Sequence, residues 1–120
     1  MIRELGGNCM KVVLCNCPVD HAEKIAKTLV EKRIAACVNV VPGVKSFYRW
    51  EGKLCEDQES TLLIKIAQTD FSILEQAIRE MHPYQVPEIV GIDVSHVHLP
   101  YLNWVHETTQ RESRSENLPC

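Results

Sequence analysis

Twice along this 120-residue chain an apolar pattern of period two gives way to one of period 3.6, and that alternation restricts the fold more than any other feature. "KVVLCNC" (11–17) reads as a first strand. In "CPVDHAEKIAKTLVEKR" the period changes, and Ala22, Ile25, Ala26, Leu29 and Val30 fall on one helical stripe. Asp20, with Glu23 three residues on, supplies the start signal: an acceptor for free N–H groups and negative charge at the positive end of the helix. Lys32 and Arg33 suit the other end. "CVNVVPGVKSFYRW" (37–50) is β-branched and aromatic, interrupted by Pro42-Gly43 as a bulge or bend would be. "EGK" (51–53) reads as a turn and "STLLIKIA" (60–67) as the returning strand. Phe71, Leu74, Ala77, Ile78 and Met81 predict a second helix over about 70–81, with Thr69 as its cap. "EIVGIDV" (88–94) is a fourth strand, and "YLNWVHETTQ" (101–110) a short closing helix.

The order is β-α-β-β-α-β plus a short C-terminal helix, which defines an α+β, ferredoxin-like fold with two helices on one face of an antiparallel sheet. No repeat or linker divides it, so one domain is expected over 10–110, with a flexible leader (1–9) and a polar tail (111–120). In this topology the first strand is central and the fourth lies antiparallel beside it. The end of the first strand, with Cys15 and Cys17, therefore lies near the loop "MHPYQVPE" (81–88). Two thiols and a loop bearing His82 and Glu88 converge at one end of the sheet.

A second consequence concerns assembly. The stretch 37–50 spans about 46 Å if extended, whereas a compact domain of this length is roughly 35 Å across. Its hairpin overhangs the domain and carries Val44, Phe47, Tyr48 and Trp50, which a monomer leaves wet. Aromatic strand edges of this kind invite pairing with another chain, so an obligate oligomer is expected.

Composition excludes several classes. The formal charge is −3 and no Lys/Arg cluster could neutralise a row of phosphates, so nucleic acid is not an expected partner. No long apolar run predicts a membrane span, and the opening residues lack the apolar core of a secretory signal. Six cysteines without an export signal imply reduced thiols and a cytoplasmic compartment. Cys9 and Cys120 are expected to be exposed, and Cys37 to be a small buried residue. There is no phosphate-binding glycine loop and no nucleophile elbow, and no acid or oxyanion donor can be named beside Cys15 and His82. The chain does not read as an enzyme.

"RIAACVNVVPGVKSFYRWEGK" (33–53), "HPYQVPEIV" (82–90) and "YLNW" (101–104) together resemble the CutA divalent-cation-tolerance family, with matching element order over about 10–110. The resemblance implies a ferredoxin-like homotrimer in which long hairpins pair across subunits, and an architecture similar to PII-type signalling proteins. It also implies a part in copper tolerance. Family members assigned a copper site use the cysteine ending the first strand and histidines before "PY", positions held here by Cys15, Met81 and His82. Met81 stands where some members have a second histidine, so a site of Cys15, Met81, His82 and the nearby Glu88 is softer and suits Cu(I).

Each of these residues also has a plainer reading. Cys15 fits a central strand packed under a helix, His82 a helix end bonding free carbonyls, and Glu88 a solvated or paired carboxylate. Tyr84, Tyr101 and Trp104, like Phe47, Tyr48 and Trp50, are read as subunit-packing residues. His96 and His98 are read as solvated. Three functions stay open: a trimeric metal-responsive protein, a PII-like interaction or ligand module, and a structural trimer.

Overall fold

The computed structural model describes residues 9–111. Its elements are β1 (Met10–Pro18), α1 (Val19–Glu31), β2 (Cys37–Trp50), β3 (Lys53–Ala67), α2 (Phe71–Met81), β4 (Val90–Asp93) and α3 (Leu99–Thr108), with a short 3-10 turn, Gln68–Asp70, leading into α2. The four strands form one sheet in the order β2-β3-β1-β4, with antiparallel neighbours throughout. This is the predicted ferredoxin-like arrangement, with β1 and β3 at its centre.

Alternation along the central strands builds the core. Val13, Cys15 and Cys17 of β1 and Leu62, Ile64 and Ile66 of β3 point to the helical side and are fully buried. They meet Ile25 and Leu29 of α1 and Leu74 and Ile78 of α2 in one cluster. Val30, expected on the α1 stripe, is exposed. Among the described residues the opposite face of the sheet is covered at one end, where Leu102 and Val105 of α3 pack with Met10 and Ala36, and is open over the rest. It presents Val41, Val90 and Ile92 to solvent, with Val12, Leu14 and Leu63 half-covered among them.

The ends of elements depart from expectation where tertiary partners intervene. Neither Asp20 nor Thr69 caps a helix. Pro18 and Asp70 hold the cap positions of α1 and α2, and neither helix has a side-chain cap bond. Asp20 lies in the first turn of α1, where its charge still meets the positive end of the helix. β3 begins at Lys53 rather than at 60, because the polar run 53–59 pairs with β2 although it lacks an apolar face. β4 is shorter than predicted, its ladder running only from Val90 to Asp93. α3 starts earlier, with Pro100 in its first turn where a missing N–H costs nothing.

The predicted turn and bulge are both present. Glu51 (φ 51°) and Gly52 (φ 79°) form the two-residue connection between paired Trp50 and Lys53. Pro42 and Gly43 together stand opposite a single residue of β3, as the register jumps from Val41↔Thr61 to Val44↔Glu59. Because β2 is an edge strand, Pro42 withholds no bond from a second neighbour. The resulting hairpin stretches the protomer to 54 × 27 × 23 Å.

The flanks are tied down at their inner ends. Cys9, expected exposed, is fully buried beside Leu102 and Val105 and is disulfide-bonded. The expectation of reduced thiols throughout is corrected at that position; Cys15, Cys17, Cys37 and Cys55 are free. Cys37 is half-buried on the open sheet face rather than in the core. Arg111 grips Asp70 through both terminal guanidinium nitrogens, at 2.9 and 3.2 Å, and donates to the Arg33 carbonyl at 2.8 Å. The rest of the predicted leader and tail, Cys120 included, lies outside the described residues.

Candidate functional site

The loop between α2 and β4 is set by its prolines. Pro83 disfavours helical geometry in the preceding residue, and His82 is accordingly extended (φ −78°, ψ 135°) at the α2 C-cap. Its N–H still closes the last turn, bonding Ile78 O at 2.7 Å. The ring is buried and reaches β1 rather than the end of its own helix. Nε2 donates to the Asn16 carbonyl at 2.8 Å, and Nδ1 accepts the Tyr84 N–H at 3.1 Å. That pair of bonds selects a neutral imidazole protonated on Nε2, with both nitrogens engaged by backbone.

Cys15 lies one residue away on β1, on the helical side and fully buried. Burial, reinforced by negative charge at Cys17, Glu88 and Glu59, pushes its thiol up to about 12. Cys17 is pushed up to about 11, first by burial and then by Glu59 and Asp20. Met81, the last residue of α2, packs half-buried against the cluster containing Cys15. Glu88 is exposed, yet partial desolvation and then the neighbouring Glu59 raise its carboxyl above the ordinary value. The fold thus brings Cys15, Met81, His82 and Glu88 to one end of the sheet. Among the described residues, no three His, Cys, Asp or Glu side chains gather closely enough to hold a metal ion.

The centre of this region is a residue that sequence reasoning missed. Glu59 of β3 is 4% exposed, and both its oxygens accept hydroxyl donors, Oε1 from Ser46 and Oε2 from Tyr84, each at 2.7 Å. Tyr84 bridges the whole site: its ring lies 4.7 Å from that of His82, and its hydroxyl is on Glu59. Desolvation, and then the bond to Glu59, pushes the Tyr84 phenol far up, so it stays a donor. Asn16 is fixed by Thr61, whose hydroxyl donates to Oδ1 at 2.6 Å. Tyr48 donates to Asp57. Nothing in the polar run "CEDQES" separates Glu59 from Glu56. The hydroxyls of Ser46 and Tyr84, brought in from other segments, distinguish them.

These groups surround a cleft of about 560 Å³, walled by Phe47, Tyr48 and Trp50 of β2 and by Tyr84, Gln85 and Val86 of the loop, with Asn16, Ser46, Glu59 and Glu88 completing it. Four of the six aromatic residues singled out in the sequence therefore share one place. Tyr101 and Trp104 form a separate pair on α3, their rings 5.6 Å apart. Phe47 is 60% exposed and Trp50 45%, so the hairpin is as wet in one protomer as its overhang implied. His96 and His98 are exposed beside α3.

A ferredoxin-like sheet, a hairpin that outruns it and a loop pinned by a neutral histidine define a class of protein. The chain belongs to the CutA1 divalent ion tolerance family, whose model matches residues 11–108. It is 47% identical over 100 residues to the divalent-cation tolerance protein CutA of Thermus thermophilus, covering 82% of this chain and 97% of that one. The solved structure of that protein has a TM-score of 0.81 and covers 84% of this chain. The chain is 42% identical to mouse Protein CutA over 100 residues, which span 56% of the mouse protein. A structure described as PII-like protein CutA, from Nostoc, is 41% identical with a TM-score of 0.80, covering 83% of this chain and 97% of that one. No helix among the described residues is long and apolar enough to cross a membrane.

Proposed function

We propose that the protein is a homotrimeric, non-enzymatic binding protein of the cellular response to divalent metal ions, copper above all, working in the cytoplasm. The single observation that carries this reading is the hairpin, which holds the rings of Phe47, Tyr48 and Trp50 exposed beyond the domain among the described residues. The uncovered sheet face with Val41, Val90 and Ile92 supports the same assembly. Four of the five described cysteines are free, which agrees with a reducing compartment, whereas the disulfide at Cys9 does not.

In this reading the soft-metal donors are Cys15, Met81, His82 and Glu88. The chemistry sets a cost on each. Cys15 must give up a proton held to about pH 12, and His82 must release either the Asn16 carbonyl or the Tyr84 N–H. Copper then competes with protons and with an internal hydrogen bond, which makes for low occupancy that falls further as pH drops. Affinity for Cu(I) depends most on Cys15, less on His82 and least on Glu88, because thiolate softness dominates. Competition against a Cu(I) chelator tests the order with Cys15→Ser, His82→Ala and Glu88→Gln in the intact protein. Cys37→Ser and Cys55→Ser serve as controls for the more accessible thiols. If the controls lose the copper and Cys15→Ser keeps it, the site assignment is wrong.

A second reading is favoured by the cleft and by the description of the Nostoc neighbour as PII-like. In it the protein is a PII-like module that takes a small ligand. A nucleotide-binding screen tests it, and the absence of a glycine-rich phosphate cradle argues for a negative result.

A further inference from the structure

We infer that Glu59 is completed by a second copy of this chain: Lys53, at the hairpin tip of one subunit, pairs with the Glu59 carboxylate of the next. The inference rests on the trimeric reading and adds a specific contact to it. Charge is the starting point. Glu59 is 4% exposed, and both its oxygens accept from neutral hydroxyls, those of Ser46 and Tyr84, the pattern of an ionised carboxylate. Among the described residues no cation pairs with it. Its charge is felt nearby: burial first, and then Glu59, raises both the Cys17 thiol and the Glu88 carboxyl. A carboxylate taken out of water without a cation is unfavourable, and buried carboxylates are accordingly held by basic partners. The protomer supplies none. The rings around Glu59 are those of Tyr48, Trp50 and Tyr84, all read as meeting another subunit.

The strand register selects which side chain arrives. Ser46 and Tyr48 of β2 bond Glu59 and Asp57 of β3, so these four side chains share one face of the hairpin. That face continues the open side of the sheet, where Thr61 and Leu63 follow Glu59 by alternation. At the other end the same alternation adds Lys53, next to the turn, and puts Lys45 and Arg49 on the opposite face. Lys45 pairs there with Glu56. Elsewhere in the sheet Lys11 holds Asp93 and Lys65 donates to Asn39. Lys53 is exposed and forms no ion pair among the described residues. It cannot serve its own Glu59, because six positions along β3 separate the two by about 20 Å. One face of the hairpin is therefore basic at the tip and acidic at the stem. Such polarity suits a head-to-tail contact, which closes into a ring about a rotation axis. Each hairpin then gives its tip to one neighbour and its stem to the other. Tyr84 extends the contact inward, since its hydroxyl is on Glu59 and its ring lies 4.7 Å from that of His82. The loop that carries His82 in one subunit is thereby tied to the hairpin of the next.

The lysine itself reports the contact. The intact protein is treated with an amine-acetylating reagent at pH 8, and the rate at each lysine is followed by peptide mass spectrometry. Lys24 and Lys32, exposed on and beside α1 without an ion pair among the described residues, are the internal references. Lys53 should react at least about tenfold more slowly than either, a factor that a hydrogen bond to a charged group supports. Glu59→Gln keeps polar partners for Ser46 and Tyr84 but removes the charge, and Lys53 should then react at the reference rate within a trimer. Lys53→Gln changes only an exposed side chain of the protomer. It should lower the melting temperature as Glu59→Gln does, and the double variant should fall no further than the larger single one. Light scattering accompanies every sample. A monomeric wild type overturns the trimeric reading and this inference together. A trimer in which Lys53 reacts as fast as Lys24 overturns the inference alone. So does protection of Lys53 that survives Glu59→Gln, which would place the lysine on another group, and so do additive falls in melting temperature. Where Glu59→Gln fails to assemble, the wild-type rates and Lys53→Gln still decide, since unchanged melting of Lys53→Gln also overturns the inference.

Discussion

Burial divides the four free thiols into two chemistries. Cys15 and Cys17 face the helices and hold their protons to about pH 12 and about pH 11, whereas Cys37 and Cys55 are half-exposed. A thiol-specific aromatic disulfide at pH 8 should therefore label Cys37 and Cys55 in the folded protein, and Cys15 and Cys17 only on unfolding. Rapid labelling of Cys15 would show that the end of β1 opens readily. The same shifts set an alkaline limit. A thiol raised from 9.0 in the unfolded chain contributes stability that is complete below pH 9 and is lost as pH climbs towards its folded value. Denaturant midpoints should fall between pH 9 and 11, and Cys15→Ala should flatten that fall while costing about 1–2 kcal/mol at neutral pH for the lost sulfur. Glu88 works in the same direction at lower pH. Its raised carboxyl opposes folding once ionised, so Glu88→Gln should raise the melting temperature at pH 7 and leave it unchanged well below pH 4.5. Cys15, His82 and Glu88 were legible as a group, because topology alone placed them together. His82's real partners were not, because the Asn16 carbonyl is 66 residues away in the chain.

Elements were legible wherever one of their faces is buried in the protomer. Both long helices and the inner half of β3 follow from periodicity, since burial of one face is what writes a period into a sequence. The outer half of β3 carries no such mark: Lys53 to Gln58 has no apolar face and pairs through its backbone and polar side chains, as Asp57 does with Tyr48. Helix starts were misjudged for a related reason. Asp70 looks like a cap from its position, but Arg111 takes its carboxylate. The hairpin tip is open to a simple test. Glu51 holds a positive φ that Asn or Gly adopts more readily, and a two-residue turn with both φ positive favours Asn-Gly. Glu51→Asn should stabilise the protein by about 0.5 kcal/mol in chemical denaturation. Gly52→Val should cost more than about 1 kcal/mol, because a β-branched residue is strained at φ 79° although no atom would obstruct it. A neutral result for Gly52→Val would mean that the tip relaxes freely in solution.

At the scale of the molecule, the hairpin makes 54 Å the longest dimension and leaves aromatic rings without a core of their own. Light scattering at micromolar concentration should give three times the monomer mass. Obligate interfaces resemble a core cut in half, so Tyr48→Ser with Trp50→Ser should dissociate or unfold the protein rather than leave it unchanged. A monomeric wild-type chain would remove both the trimer and the reasoning from overhang. What the sequence alone determined was the order of elements, the central place of β1, the length of β2 and the family. These follow from local periodicity, from chirality and from motifs that sit in contiguous stretches. What only the tertiary structure decided was the cleft. Its floor is Glu59, indistinguishable in sequence from its acidic neighbours. It became a buried carboxylate because Ser46, two residues beyond its partner Val44 on β2, donates to one oxygen, and because a loop ordered by Pro83 brought the Tyr84 hydroxyl to the other. Sequence pattern records which faces meet apolar surface. It does not record which polar atom will find which partner, because that depends on contacts between segments far apart in the chain.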